Sequence, residues 1–99
     1  MSMDEVIREE ARLIILRELY SQPNRSATST AIRALLAETF MIVKPREWVE
    51  QEIAWMADMG AVRMTAATSI KIATLAPRGV EHLRHQAFIP GILSPSEPL

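Results

Sequence analysis

KPREWVEQEIAWMADMGAV, residues 44–62, contains one helix with a defined beginning and end, followed by the start of a strand. Pro45 suits a first helical turn, because the N–H that proline lacks would be unpaired there in any case. Gly60 suits the end, because glycine adopts the left-handed cap conformation without a Cβ clash. The apolar residues between them recur at helical spacing. They are Val49, Ile53, Met56 and Ala57, with Trp48, Trp55 and Met59 extending the same side.

Two helices are predicted before this central helix. Residues 1–21 form the first, with acidic residues near its start, where the helix dipole favours negative charge. A turn over residues 22–26 follows, because proline and asparagine interrupt the helical pattern. Ser29 or Thr30 then caps a second helix that runs to about residue 39, since a short hydroxyl accepts from the first free N–H groups.

A hairpin and a last helix are predicted after Gly60. Residues 61–64 form one strand and residues 70–75, which alternate cleanly, form the other. The small residues 65–69 connect them at the tip. A last helix begins near Pro77, and residues 88–99, rich in proline, form a tail that is too apolar to be purely solvated.

Composition limits the class of protein. The chain has 99 residues, a formal net charge of −1 and no cysteine, which excludes disulfides and cysteine-based zinc sites. Acidic residues precede any apolar run at the N-terminus, so no signal peptide is expected. No stretch approaches the roughly 20 apolar residues that span a bilayer. We therefore expect a cytoplasmic protein without a membrane partner.

Charge is distributed unevenly along the chain. Residues 25–46 carry four basic residues and one acidic residue, and residues 61–99 carry four basic and two acidic residues. Residues 47–60 carry four carboxylates and no base. Basic charge thus flanks the central helix but does not lie on it. Nucleic-acid-binding domains are usually basic overall, and the net charge of this chain gives no support to that function.

The second half of the first helix is apolar nearly all the way round its axis, which indicates burial on more than one side. Two partners are open: the chain's own C-terminal segment or a second subunit. The second alternative predicts a homodimer formed through the first helix and the C-terminal tail.

The order helix, helix, helix, hairpin, helix resembles the winged helix-turn-helix domains of MarR-like and ArsR-like regulators. The resemblance covers about residues 5–86. It is carried by Trp55–Val62, where a helix passes through glycine into an apolar strand, and by Ile72–Val80, which resembles their strand, Leu-Thr-x-x-Gly, helix junction with Ala76 in the threonine position. The expected fold is therefore mainly α with a β-hairpin: a winged-helix domain over residues 1–87 and a tail over 88–99.

The chain is also similar to small winged-helix proteins carried by Mu-like phages and prophages. In those proteins a similar strand and glycine junction precedes a Pro-Gly-Ile/Val-x-x-Pro tail, which here is residues 90–95. This resemblance implies a bacterial cytoplasm and a small DNA-binding transcription regulator. It supplies no catalytic motif, so neither an enzyme nor a cofactor is expected.

The resemblance implies that the central helix enters the major groove of double-stranded DNA. Lys44 and Arg46, at its N-terminal end, suit contact with phosphates, whose neutralisation is a main source of affinity. Basic and hydroxyl side chains of the second helix and the hairpin lie beside them in this arrangement. The predicted DNA-binding residues are Arg25, Thr28, Ser29, Arg33, Lys44, Arg46, Gln51, Arg63 and Lys71.

An alternative comes from the acidic side of the central helix. Glu47, Glu50 and Asp58 share that side, where they would repel a phosphate backbone. The alternative function is therefore a protein-interaction module that docks through these carboxylates and binds no DNA.

Two further pairs of side chains have structural interpretations. Trp48 and Trp55 are predicted to pack in the core or an interface, with Glu52 between them accepting from their ring N–H groups. His82 and His85 have a spacing that can hold a metal. No third ligand is apparent in the sequence, so we expect two solvated histidines and no metal site.

Overall fold

The computed structural model describes residues 2–99, which form an α+β fold of four helices and a three-stranded antiparallel sheet. The predicted combination of helices with a hairpin is confirmed at this level, and one further strand is present. None of the described helices is both long and apolar enough to cross a membrane. The elements are α1 (Met3–Ser21), β1 (Ser26–Thr28), α2 (Ser29–Phe40), α3 (Arg46–Asp58), β2 (Val62–Ala67), β3 (Ile70–Leu75) and α4 (Pro77–Leu83).

Helix α3 follows the predicted central helix closely. Pro45 is its N-cap residue, in extended conformation, so the helix begins at Arg46, one residue later than predicted. Gly60 has a φ of +80° just after the helix ends, which is the left-handed conformation that its position predicted. The cap of α2 differs from the prediction. Thr28 caps that helix, because its hydroxyl accepts from the Ala31 N–H at 3.1 Å. Neither Ser29 nor Thr30 is the cap.

The sheet has the strand order β1-β3-β2. Strand β1 is only three residues long and was not predicted, and it pairs antiparallel with β3 from Ser26 opposite Thr74 to Thr28 opposite Ile72. Strand β2 continues to Ala67, so the hairpin tip consists of two residues, Thr68 and Ser69, instead of the five residues predicted. The hairpin is therefore longer and more regular than the sequence indicated.

The apolar surface of α1 is covered by the chain itself. Seven of its residues are buried, from Ala11 to Leu16 without interruption and again at Leu19. Part of the cover is the tail, where Ile89 and Ile92 are almost completely buried and the Leu93 N–H donates to the Glu9 carbonyl at 3.2 Å. Of the two alternatives for α1, burial against the C-terminal segment is the one observed. The homodimer stays a prediction, but these apolar side chains no longer require it.

Arg12 joins α1 to α3 and to the tail. Its Nε donates to Glu52 Oε1 at 2.7 Å, and another guanidinium nitrogen donates to the Gly91 carbonyl at 2.8 Å. The guanidinium carbon lies 3.7 Å from the ring centroid of Trp55. Glu52, which is 2% exposed, also accepts from Arg8 at 3.3 Å. The prediction that Glu52 serves the tryptophan ring N–H groups is therefore wrong, because two arginines occupy its oxygens.

The prediction of two solvated histidines is wrong for His82, which is 1% exposed. Its Nδ1 accepts from the Ile89 N–H at 3.1 Å, so Nε2 carries the proton and donates to the Leu93 carbonyl at 3.1 Å. His85 remains on the surface, and its Nε2 donates to the Pro95 carbonyl at 2.7 Å. Both histidines thus bind the tail to α4 and the residues just after it.

A comparison of two glycines tests how tightly the tail is held. Both Gly60 and Gly91 have positive φ, so alanine at either position costs about 1–2 kcal/mol in backbone strain. A Cβ at Gly91 would also lie 2.6 Å from the Trp55 ring, whereas at Gly60 it would meet only the flexible Arg78 side chain at 3.3 Å. We expect Gly91→Ala to lose about 1–3 kcal/mol more than Gly60→Ala in urea unfolding. Equal losses would show that the tail shifts freely away from Trp55.

Candidate functional site

Ser29 lies where α2, α3 and β3 meet, and its side chain has no exposed surface. The hydroxyl accepts from the Lys71 backbone N–H at 3.1 Å and donates to Glu50 Oε2 at 2.8 Å. The last register pair of β1 and β3 is Thr28 with Ile72, so Lys71 faces the residue at which the chain turns into helix. The Ser29 hydroxyl therefore replaces a main-chain acceptor and extends the ladder by one hydrogen bond.

Arg46 completes this group from the first turn of α3. Its Nε lies 3.4 Å from Glu50 Oε2, one helical turn along, and makes no hydrogen bond within residues 2–99. The Arg46 side chain is 39% exposed, and an ion pair so open to water is worth at most about 1 kcal/mol. The Nε atom itself is buried, so it is the exposed part of the guanidinium group that can contact another anion. We call Ser29, Arg46, Glu50 and Lys71 the Ser29 junction.

The Ser29 junction fixes the relative positions of α2, α3 and β3, and it presents two basic side chains at the surface. The Ser29 hydroxyl and the Glu50 carboxylate are both used within the fold, and Ser29 is closed to solvent. Their role at this position is to hold α2, α3 and β3 together. The charged ends that remain partly open are those of Arg46 and, on a half-buried residue of β3, Lys71.

Two of the four carboxylates of α3 are paired within the chain. Glu52 is buried between Arg8 and Arg12, and Glu50 is held by Ser29 and Arg46. Glu47 and Asp58 are exposed and form no salt bridge among the described residues. The acidic side predicted from the helical wheel therefore contains two unpaired carboxylates, at opposite ends of the helix, instead of three.

Two further residues predicted to bind DNA lie at or just before the exposed side of α3. Lys44 is half-buried just before the helix, with its Nζ 5.4 Å from the ring centroid of Trp48. Gln51 is exposed on the helix itself. Cation–π contact of this kind holds the lysine near the helix start without removing its charge. Lys44 and Arg46 thus supply positive charge at the N-terminal end of α3, as the sequence predicted.

The remaining predicted residues lie outside the Ser29 junction. Arg25 has a φ of 59° and stacks on Tyr20, with its guanidinium carbon 4.1 Å from the ring centroid. Thr28 uses its hydroxyl to cap α2, and Arg33 is half-buried on that helix. Arg63 is exposed on β2, opposite Thr74 of β3. Within residues 2–99, no side-chain hydrogen bond or salt bridge connects these four to the junction.

Substitution of Ser29 tests the junction. Ser29→Ala leaves the partly buried Lys71 N–H without its acceptor and removes the donor to Glu50, so we expect a loss of about 1–3 kcal/mol in unfolding free energy. Faster hydrogen exchange at the Lys71 amide should accompany it. Thr30→Ala is the matched control, because Thr30 is exposed on the same turn and its substitution should stay within about 0.5 kcal/mol. Similar losses in both variants would contradict the role given to Ser29.

No protein-family model matches the chain, and it has no significant similarity to curated proteins or solved structures. The fold and the Ser29 junction are therefore the basis for its functional assignment.

Proposed function

We propose that this chain is a winged helix-turn-helix protein that binds double-stranded DNA, acting in the cytoplasm as a small transcription regulator of the kind carried by Mu-like phages. The order of elements supports the fold assignment, because three helices are followed by a hairpin and a fourth helix. Strand β1, which lies between α1 and α2 in the chain, pairs with the hairpin strand β3 and leaves that order intact.

The observation that carries the proposal is the Ser29 junction. In a helix-turn-helix protein, the first helix of the pair, the recognition helix and the wing must keep a fixed geometry, so that each meets the duplex in register. Here one buried hydroxyl connects α2 to α3 through Glu50 and to β3 of the hairpin through Lys71. All four residues of the junction lie on α2, α3 or β3, the elements that such a domain presents to DNA.

The positive charge at the N-terminal end of α3 also supports DNA binding. Of the three carboxylates on the acidic side, Glu50 is paired within the chain, and Asp58 lies at the opposite end of the helix from Lys44 and Arg46. Glu47 is the one unpaired carboxylate among the described residues of that N-terminal turn.

The exposed part of the Arg46 guanidinium group can contact a phosphate oxygen, and Lys44 lies beside it. In the proposed complex the N-terminal half of α3 faces the major groove, with Gln51 placed to pair with adenine. Arg63 and Lys71 contact the backbone from the hairpin.

A titration with a fluorescent mixed-sequence duplex tests the proposal. At roughly 50 mM salt, non-specific binding in the micromolar range is expected, with an affinity that falls steeply as salt increases. Lys44→Ala and Arg46→Ala should each weaken binding and lower the slope of log affinity against log salt by about 1. The absence of binding to any duplex under these conditions would overturn the proposal.

Arg84→Ala provides the matched control. Arg84 is exposed on the turn that ends α4, outside the Ser29 junction, and its substitution removes the same charge. We expect its affinity and salt slope to stay near those of the unmodified protein. A loss equal to that of Arg46→Ala would mean that DNA responds only to net charge.

The alternative function, a protein-interaction module with an acidic third helix, is favoured by one observation: Glu47 and Asp58 are exposed and unpaired within the described chain. Glu47→Lys separates the two proposals because they predict opposite results. If the helix binds DNA, the reversal should tighten binding to the duplex. If the helix docks on a protein, a partner captured with the unmodified chain should be lost, and DNA should bind neither form.

A further inference from the structure

Three large apolar side chains are exposed at the corner between α2 and α3. Phe40 is 42% exposed, Met41 is 78% exposed and Val43 is 74% exposed. They fall within four consecutive residues, whereas isolated exposed apolar residues are ordinary on protein surfaces. Contiguous exposed apolar surface more often marks a place where another molecule binds. We call these three residues the corner patch.

The backbone of Met41 points to the same conclusion. Met41 is the C-cap of α2, with φ 60° and ψ 24°, in the left-handed region that usually takes glycine or asparagine. A side chain with a Cβ costs about 1–2 kcal/mol in that conformation. Because the Met41 side chain is exposed, its burial within the chain offsets little of this strain energy. The turn at Met41 closes α2, with the Ile42 N–H donating to the Leu36 carbonyl at 2.8 Å, but the Met41 side chain takes no part in that bond. A large exposed side chain at a strained position is a reason to look for a function of that side chain outside the fold.

A groove lies beside the corner patch and shares Phe40 with it. Its volume is about 170 Å³, and apolar side chains form much of its wall. Arg17 and Glu18 of α1 bring one charge of each sign to it. Arg17 forms no salt bridge within residues 2–99, and the Glu18 carboxylate accepts only from the Gln22 amide, at 2.6 Å. The groove is lined by Ile14, Arg17, Glu18, Ser21, Leu35 and Phe40.

We propose that a second copy of this chain covers the corner patch and the groove, forming a two-fold symmetric dimer. In such an interface the same surface serves both subunits, so it must contain both halves of every contact. This surface does: Met41 is a projecting apolar side chain next to an apolar groove, and Arg17 lies next to Glu18. Each Met41 fills the partner's groove, and each Arg17 pairs with the partner's Glu18. DNA would match neither the apolar surface nor the balanced charge.

The proposed interface keeps part of α1 but not the tail, whose apolar side chains Ile89 and Ile92 are buried within one chain. It differs in this way from the dimer that the sequence predicted. The residues that form it lie outside the Ser29 junction, and its test, self-association measured without DNA, is separate from the duplex titration.

Sedimentation velocity on the full chain tests the dimer, with concentration varied over about two decades, because self-association depends on protomer concentration. Met41→Asn should weaken dimerisation about tenfold or more, as loss of a central apolar anchor does. In dilute solution the same variant should melt at a temperature equal to or above that of the unmodified chain, since asparagine tolerates the left-handed conformation. Met3→Asn is the matched control, because Met3 is 73% exposed in an ordinary helix.

Charge reversal provides a second measurement. Arg17→Glu and Glu18→Arg should each weaken the dimer by placing like charges across the two-fold axis. The double variant exchanges the two charges and should restore dimerisation to within about threefold, as coupled contacts do in double-mutant cycles.

Three results would overturn the proposal: a monomer at all concentrations, a Met41→Asn variant that dimerises as well as Met3→Asn, or a double charge exchange that fails to restore association. A monomer that still captures another protein through the corner patch would assign the surface to that protein.

Discussion

The ion pair between Arg12 and Glu52 is the contact on which the rest of the structure depends. Both side chains are nearly excluded from water, so losing either one would leave an uncompensated buried charge, at a cost of about 3–5 kcal/mol. The attraction is not isolated: Arg8 shares the carboxylate, the Trp55 ring lies over the guanidinium, and the Gly91 carbonyl accepts another hydrogen bond. The first helix, the third helix and the tail meet at one guanidinium group.

This pair also orients the functional surface. Glu52 faces inward toward Arg12, whereas Glu47 and Gln51, on other sides of the same helix, are exposed. The Ser29 junction holds the same helix from the side of α2 and the hairpin, through Glu50. Helix α3 is thus fixed by two carboxylates on nearly opposite sides, Glu52 in the core and Glu50 at the edge of the proposed DNA surface. Of the three acidic residues that opposed nucleic-acid binding in the sequence, Glu50 contributes to positioning that surface.

Local patterns predicted much of the fold. Periodicity together with Pro45 and Gly60 gave α3, strict alternation gave β3, and prolines gave an irregular tail that packs on the body. Contacts between distant residues had no such signal. Ser29 and Glu50 are 21 positions apart, and β1 is too short to show a period. Arg12 gave a partial indication, since an arginine within the apolar run of residues 11–16 needs a buried anion, but its partner is 40 positions away. His82 was misread because the tail atoms that satisfy it lie beyond its own helix.

The span of the Arg12 contacts has a consequence for how the chain acquires its structure. The contact with Glu52 closes a loop of 40 residues and the contact with Gly91 one of 79, a near doubling that adds about 0.6 kcal/mol of closure entropy. Synthesis from the N-terminus imposes the same order, because Glu52 emerges well before Gly91. For that interval, the helices can pair while Trp55 and one side of α1 lack their cover. We therefore expect the tail to dock late, and late contacts slow unfolding more than they speed folding. On this view the tail contributes mainly to the lifetime of the folded state.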